Sequence, residues 1–299
     1  MHIDRSRAQR AFHDYVDAYD ARNPRISLKV DHTLRVADLA ARIATAEGLA
    51  PDDVDLAWLI GLLHDMGRFE QIRRWGTFSD ARSTSHAALG IEVVLEQEAG
   101  TPPFDADRET ADSEPGVNIY AGLSPRKRRL RDFVSSAEED ELIRQAIGTH
   151  SDLALPKEIT GSVRTFCNIV RDADKLDILH TVATSTPETI LGVDEAALAA
   201  SHLSPAVLEA FEERRCVKRE ERVFPADYVV GFLCFAFELV YPESRRIAAE
   251  AGDLFAIAHD PFNFSGTFAD PEVPAELSRM EADLRSWLGD ANENGAGRP

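Results

Sequence analysis

The sequence predicts an all-α fold. Apolar residues recur at helical spacing along almost the whole chain, no run alternates as a half-buried strand must, and Gly and Pro stand where helices would stop or start. With 44% hydrophobic and 28% charged residues among 299, the chain has the make-up of a folded protein that can bury a large core.

The expected elements follow in order. A first helix covers Arg5 to Tyr19 and is broken by Asn23-Pro24. A second, Ile26 to Ala46, carries Ile26, Val30 and Leu34 on one side and Val36, Leu39 and Ile43 on the other, so it should be buried on two faces; it ends at Gly48 before Pro51. His32 falls on the second stripe. A third begins after Pro51 with Asp52, Asp53 and Asp55 in its first turn, where negative charge suits the helix dipole, and runs through Leu63. Further helices are expected at Ser85 to Gln97, Ala137 to His150 and Pro156 to Thr184, then shorter ones, an apolar helix from Tyr228 to Val240 and an amphipathic one from Pro274 to Leu288. Between Gly100 and Asp132 no period survives. Pro102-Pro103, five acidic residues from Asp105 to Glu114 and the basic run from Arg126 to Arg131 read there as an irregular insertion, a disordered or solvated loop by preference and a functional lid as the alternative. The expected organisation is a helical domain over 1–190 carrying the insertion at about 100–132, a helical extension over 191–290 packed on it, and a frayed tail at 291–299. No internal repeat is visible.

Lys and Arg number 33 against 52 Asp and Glu, a net charge of −19, so the surface repels polyanions and no nucleic-acid partner is expected. A local basic pocket for a small phosphorylated ligand is compatible with that sum, because charges act over only about 10 Å at moderate salt. The N-terminus leads into no apolar signal core. The longest apolar stretch, Val229 to Phe237, stops at Glu238, short of the roughly 20 residues of a membrane span, so a soluble, cytoplasmic protein without a membrane partner is expected. Cys167, Cys216 and Cys234 are odd in number, widely spaced and form no CxxC pair; they read as buried, reduced thiols. A homodimer is compatible with the sequence.

The chemistry lies in the histidines. Of three His-Asp dipeptides, His13-Asp14 lies on a polar amphipathic helix and His259-Asp260 precedes Pro261; His64-Asp65 alone closes an apolar run, Trp58 to Leu63, and is followed by Met66-Gly67. It belongs to an ordered set of contexts: Asp31-His32-Thr33, His64-Asp65-Met66-Gly67-Arg68, Ser85-His86-Ala87, Thr149-His150-Ser151 and Ala173-Asp174-Lys175-Leu176-Asp177. Neutral imidazole and carboxylate at converging helix ends suit borderline to hard divalent metals, Mn, Fe, Co, Ni or Zn.

This set resembles the HD-domain superfamily of metal-dependent phosphohydrolases, over about Ile26 to Leu179. The resemblance implies that His32, His64, Asp65 and Asp174 bind one divalent transition metal and that His86 and His150 join a bridging Asp65 at a second. Asp172 and Asp174 point to nearly opposite sides of a helix, so only one can face the metals, and the context of Asp174 is the one that matches. Asp172 and Asp177 then support the centre or lie on the surface. Such a centre lowers the pKa of a bridging water and offsets charge on phosphoryl oxygens. Arg68, three residues past Asp65, and Lys175, beside Asp174, are placed to hold the phosphate. Lys29, one turn before His32, is a weaker candidate and reads rather as a surface charge.

The chain lacks the Gly-Tyr-Pro signature of cyclic-di-GMP-degrading relatives, and His64-Asp65 is followed by Met-Gly-Arg-Phe-Glu, not by the Glu-Asp pair of alarmone hydrolases. The expectation is a phosphohydrolase for a small phosphorylated metabolite, with a nucleotide the first choice. The ligand set is also similar to that of HD-type di-iron oxygenases, and a phosphate-binding regulatory module without turnover is the third reading.

Overall fold

The computed structural model describes residues 2–20, 22–95 and 130–295. It is helical, with no strand among the described residues. Residues 96–129, most of the expected insertion, lie outside the described residues, and those that follow open a short helix. The helices are α1 (Arg5–Val16), α2 (Pro24–Ala46), α3 (Pro51–Leu63), α4 (Met66–Trp75), α5 (His86–Val94), α6 (Leu130–Phe133), α7 (Asp140–Thr149), α8 (Gly161–Ala183), α9 (Pro187–Ile190), α10 (Glu195–Ala199), α11 (Pro205–Glu212), α12 (Pro225–Leu233), α13 (Pro242–Ala251), α14 (Asp253–His259) and α15 (Glu272–Gly295). Among the described residues no helix is long and apolar enough to cross a membrane.

The chain forms two compact units, one from 1–41 and 50–170, the other from 42–49 and 171–299. The boundaries fall inside α2, between α2 and α3, and inside α8.

In the first unit α3 is the central element. Every residue from Leu56 to Leu63 is buried, as a helix apolar all round must be. Pro51 opens it and Asp52 and Asp53 fill its first turn. It crosses α2 at backbone distance: a methyl on Gly61 would lie 2.8 Å from the Cα of Ala37. After His64 the chain leaves helical geometry at Asp65, φ −109° and ψ 16°, and starts α4.

Helix α4 was not expected from the sequence. Its buried face holds Glu70 and Gln71 beside Met66, Phe69 and Ile72, so the apolar period is broken by residues that are nevertheless inside. Tyr19 donates to Glu70 Oε1 at 2.6 Å, and Arg73 and Arg74 donate to the same carboxylate. That partnership makes a buried acid tolerable. Tyr15 donates to the carbonyl of Met66 at 3.2 Å, tying α1 to the start of α4.

Helix α5 begins at His86, with the Ser85 hydroxyl accepting from the Ala88 amide at 3.2 Å. Helices α4 and α5 touch so closely that a methyl on Gly67 would lie 2.2 Å from the carbonyl oxygen of His86 and 2.5 Å from the amide nitrogen of Gly90.

Several boundaries differ from the sequence reading. Helix α8 starts at Gly161 rather than Pro156, after a left-handed turn at Gly161 with φ +57°. The apolar helix expected from Tyr228 to Val240 ends at Leu233 and tightens into a 3₁₀ turn, Cys234–Glu238. Helix α15 runs on to Gly295, where the sequence placed a frayed tail from 291. Of the three free thiols Cys167 and Cys234 are buried and Cys216 is half-buried.

In the second unit Asp172 is buried and accepts from the amides of Val240 and Tyr241 at 2.9 and 3.1 Å, which fixes the entry to α13. Burial pushes its carboxyl up to about 6.

The α4–α5 contact yields a direct test. Gly67→Ala should destabilise the protein by about 1–3 kcal/mol, because two backbones would have to part. Gly289→Ala, where an added methyl meets nothing within 4 Å, should be neutral or stabilising by up to about 1 kcal/mol. Urea unfolding curves of the two variants measure the difference; equal midpoints would contradict the close approach.

Candidate metal centre

Five of the expected ligands come together inside the first unit. His32 lies on α2, His64 and Asp65 at the junction of α3 and α4, His86 on the first residue of α5, and His150 just past the last residue of α7; all are buried. Their ring nitrogens sort onto the two oxygens of Asp65. His32 Nε2 and His64 Nε2 stand 3.5 and 3.6 Å from Oδ2, while His86 Nε2 and His150 Nε2 each stand 3.7 Å from Oδ1. The last two nitrogens are 3.0 Å apart. His32, His64 and Asp65 form one group able to hold a metal ion, and Asp65, His86 and His150 a second.

The outward nitrogens show what the inward ones carry. His64 Nδ1 lies 2.6 Å from the carbonyl of Gly61, His150 Nδ1 2.7 Å from that of Ile147, and His86 Nδ1 2.7 Å from Asp80 Oδ2. A carbonyl or an ionised carboxylate only accepts, so each Nδ1 is the donor and Nε2 is left as the nitrogen that faces inward and that a metal would bind. Burial, ahead of every other influence, holds the imidazole of His86 down at about 4, so it is neutral at physiological pH. Asp65 stays well below the usual carboxylate range although burial pushes it upward, because the Lys29 ammonium and the surrounding imidazoles favour its charge. These nitrogens converge on a carboxylate whose Oδ1 has no hydrogen-bond partner. Imidazole nitrogens and carboxylate oxygens gathered in this way are the donor set of a divalent cation. Ligands on a metal with bonds of about 2.1 Å lie about 3.0 Å apart at a right angle and about 3.4 Å apart in a tetrahedron, close to the 3.0 and 3.5–3.7 Å separations found here. The residues present therefore fit a divalent metal.

The basic side chains differ from the sequence reading in one case. Lys29 is not a surface charge: its Nζ donates to Asp65 Oδ2 at 2.6 Å and stands 5.8 Å from the centre of the Phe78 ring. The spacing of one turn before His32 had placed it on the right face. Arg68 turns its Nε to Asp65 Oδ1 at 3.6 Å, and its Nη1 donates to the Phe78 carbonyl, Gln71 Oε1 and Asp80 Oδ1 at 2.6, 2.8 and 3.1 Å. Asp174 and Lys175 lie on α8 just past Val170 and belong to the second unit, where Lys175 pairs with Glu238 at 3.2 Å. Sequence reasoning missed Asp80 and Gln71 altogether. They meet through a 3₁₀ turn, Asp80–Arg82, and no helical or strand spacing links them to His86.

The profile of the HD domain family matches residues 30–179, half of the chain. The chain belongs to the HD-domain family. The HD domain is all-α, binds divalent metals and defines a superfamily of metal-dependent phosphohydrolases, some members of which are non-catalytic. The matched span takes in all five clustered ligands as well as Asp174 and Lys175. No curated protein and no solved structure matches the chain.

The buried His86 sets a pH dependence for the metal-free protein. Its folded-state pKa of about 4 lies below the ordinary 6.5, so the unfolded chain takes up the proton first and the stability from the neutral ring, complete above pH 6.5, is lost as pH falls toward 4. In His86→Gln the fall in stability over this window should be shallower than in the wild type, as measured by urea unfolding at stepped pH. Identical slopes would contradict a neutral, buried ring.

Proposed function

We propose that this HD-domain protein is a metal-dependent phosphohydrolase that hydrolyses a phosphate ester or anhydride of a small metabolite, a nucleotide first of all. The observation that carries the reading is the division of the Asp65 carboxylate, one oxygen toward His32 and His64 and the other toward His86 and His150. Two divalent ions sharing Asp65 would use both oxygens. His32, His64 and Asp65 would hold one, joined by Asp174 as the family resemblance implies, and Asp65, His86 and His150 would hold the other. When bound, metals of this kind lower the pKa of water toward neutrality and offset charge on phosphoryl oxygens.

The chain's own residues supply the rest. The Lys29 ammonium and the Arg68 guanidinium flank Asp65 from its two sides, at 2.6 and 3.6 Å, which supports a role for them in meeting phosphoryl charge beside the metals. Lys175 is assigned to the same task by the motif in which it follows Asp174. A net charge of −19 disfavours a polynucleotide and leaves a small phosphorylated ligand as the better match. Three free thiols suit a reducing, cytoplasmic setting.

Protein purified without chelator should carry close to two transition-metal ions per chain by mass spectrometry and should release phosphate from members of a nucleotide panel. Loss of a charge-assisted contact to a buried phosphate costs about 1.5–3 kcal/mol. Lys175→Ala should therefore lower kcat/KM by about 10- to 100-fold with metal content unchanged. Oxygen uptake with a mixed-valent iron signal would identify an oxygenase instead, and tight nucleotide binding without turnover a regulatory module.

A further inference from the structure

We propose that Asp80 is a positioning residue of the metal centre, the carboxylate that fixes His86 as a ligand and sets the strength of the His86/His150 side. The need for it follows from where each histidine sits. His64 and His150 stand at helix C-termini, where the last carbonyls have no partner within the helix, and their Nδ1 groups donate to carbonyls three residues back, Gly61 and Ile147. His86 is the first residue of α5. A helix N-terminus presents amides rather than carbonyls, so its own helix offers His86 no acceptor. The acceptor comes from the loop between α4 and α5: Asp80 Oδ2 lies 2.7 Å from His86 Nδ1.

Asp80 is itself held in place. Its other oxygen accepts from Gln71 Nε2 at 2.8 Å and Arg68 Nη1 at 3.1 Å, both from α4. Gln71 is fully buried and also donates to Ser83 Oγ at 2.8 Å, while Arg68 grips the Phe78 carbonyl at 2.6 Å. The loop is thus clamped at residues 78, 80 and 83. A carboxylate partner makes a stronger, charge-assisted hydrogen bond than a carbonyl, and it raises the basicity of the ring it holds. His86 is thereby distinguished from His64 and His150.

This inference rests on the metal-centre reading, and its test separates the two. Asp80→Ala removes the acceptor and Asp80→Asn keeps an acceptor oxygen without the charge. In a Co²⁺ titration followed by visible absorption, Asp80→Ala should weaken the ion held by His86 and His150 by about 10- to 100-fold. The ion held by His32 and His64 should stay within about two-fold, and Asp80→Asn should fall between. In metal-free protein ¹⁵N NMR should show His86 protonated at Nδ1 in the wild type and as a tautomer mixture in Asp80→Ala. If Asp80→Ala does not fold, Asp80→Asn in a His86→Ala background should change Co²⁺ binding no further than His86→Ala alone. Unchanged affinities with an unchanged His86 tautomer would overturn the role of Asp80, as would equal weakening of both ions. A wild type that binds a single ion counts against the dinuclear reading, and the NMR measurement then decides on Asp80 alone.

Discussion

A carboxylate buried among imidazoles is the constraint on which the first unit is organised. Removing an ionised group from water costs several kcal/mol unless positive charge and hydrogen bonds replace the solvent. Asp65 has the Lys29 ammonium on one oxygen, and two pairs of rings stand around it with their nitrogens 3.5–3.7 Å away. That distance is too long for good hydrogen bonds and suits ligands gathered around a cation. The surrounding architecture serves that arrangement. An entirely buried α3 delivers His64 and Asp65 to the interior, and the absence of side chains at Gly61 and Gly67 lets α2 and α5 approach α3 and α4 at backbone distance.

Helix termini are what set the orientation of His64, His86 and His150. A ring ligand must have its second nitrogen occupied by an acceptor if the lone pair is to point inward. At the end of a helix that acceptor is already present as an orphan carbonyl, as Gly61 and Ile147 show. At the start of α5 it had to be brought in from a loop, and the cost is a polar network of half-buried Arg68 and Asp80 around buried Gln71. Arg68 therefore serves the scaffold of the centre as well as its charge.

Much of this was legible in the amino-acid sequence, and the parts that were not have physical reasons. The five ligand contexts were readable as an ordered set, in which His64-Asp65 closes the apolar run Trp58 to Leu63, and the all-α class followed from the period alone. Helix α4 was hidden because Glu70 and Gln71, two polar residues, are on its buried face, where Tyr19, Arg73 and Arg74 satisfy Glu70 and Arg68 and loop residues satisfy Gln71. Lys29 had the spacing of a site residue, yet α2 is apolar on two sides, so spacing could not say whether its ammonium turned inward. Asp80 lies six residues before His86 in a turn, and only the tertiary fold joins the two. The unit boundaries inside α2 and α8 carry no Gly or Pro, since the helices continue unbroken through them.

The central claim is that Asp65 is shared between two metal positions. Anomalous diffraction from crystals of the Mn²⁺-loaded protein tests it most directly. Two peaks are predicted, one beside each oxygen of Asp65, with His32 and His64 at the first and His86 and His150 at the second. A single peak, or peaks that leave Asp65 uncoordinated, would contradict the account.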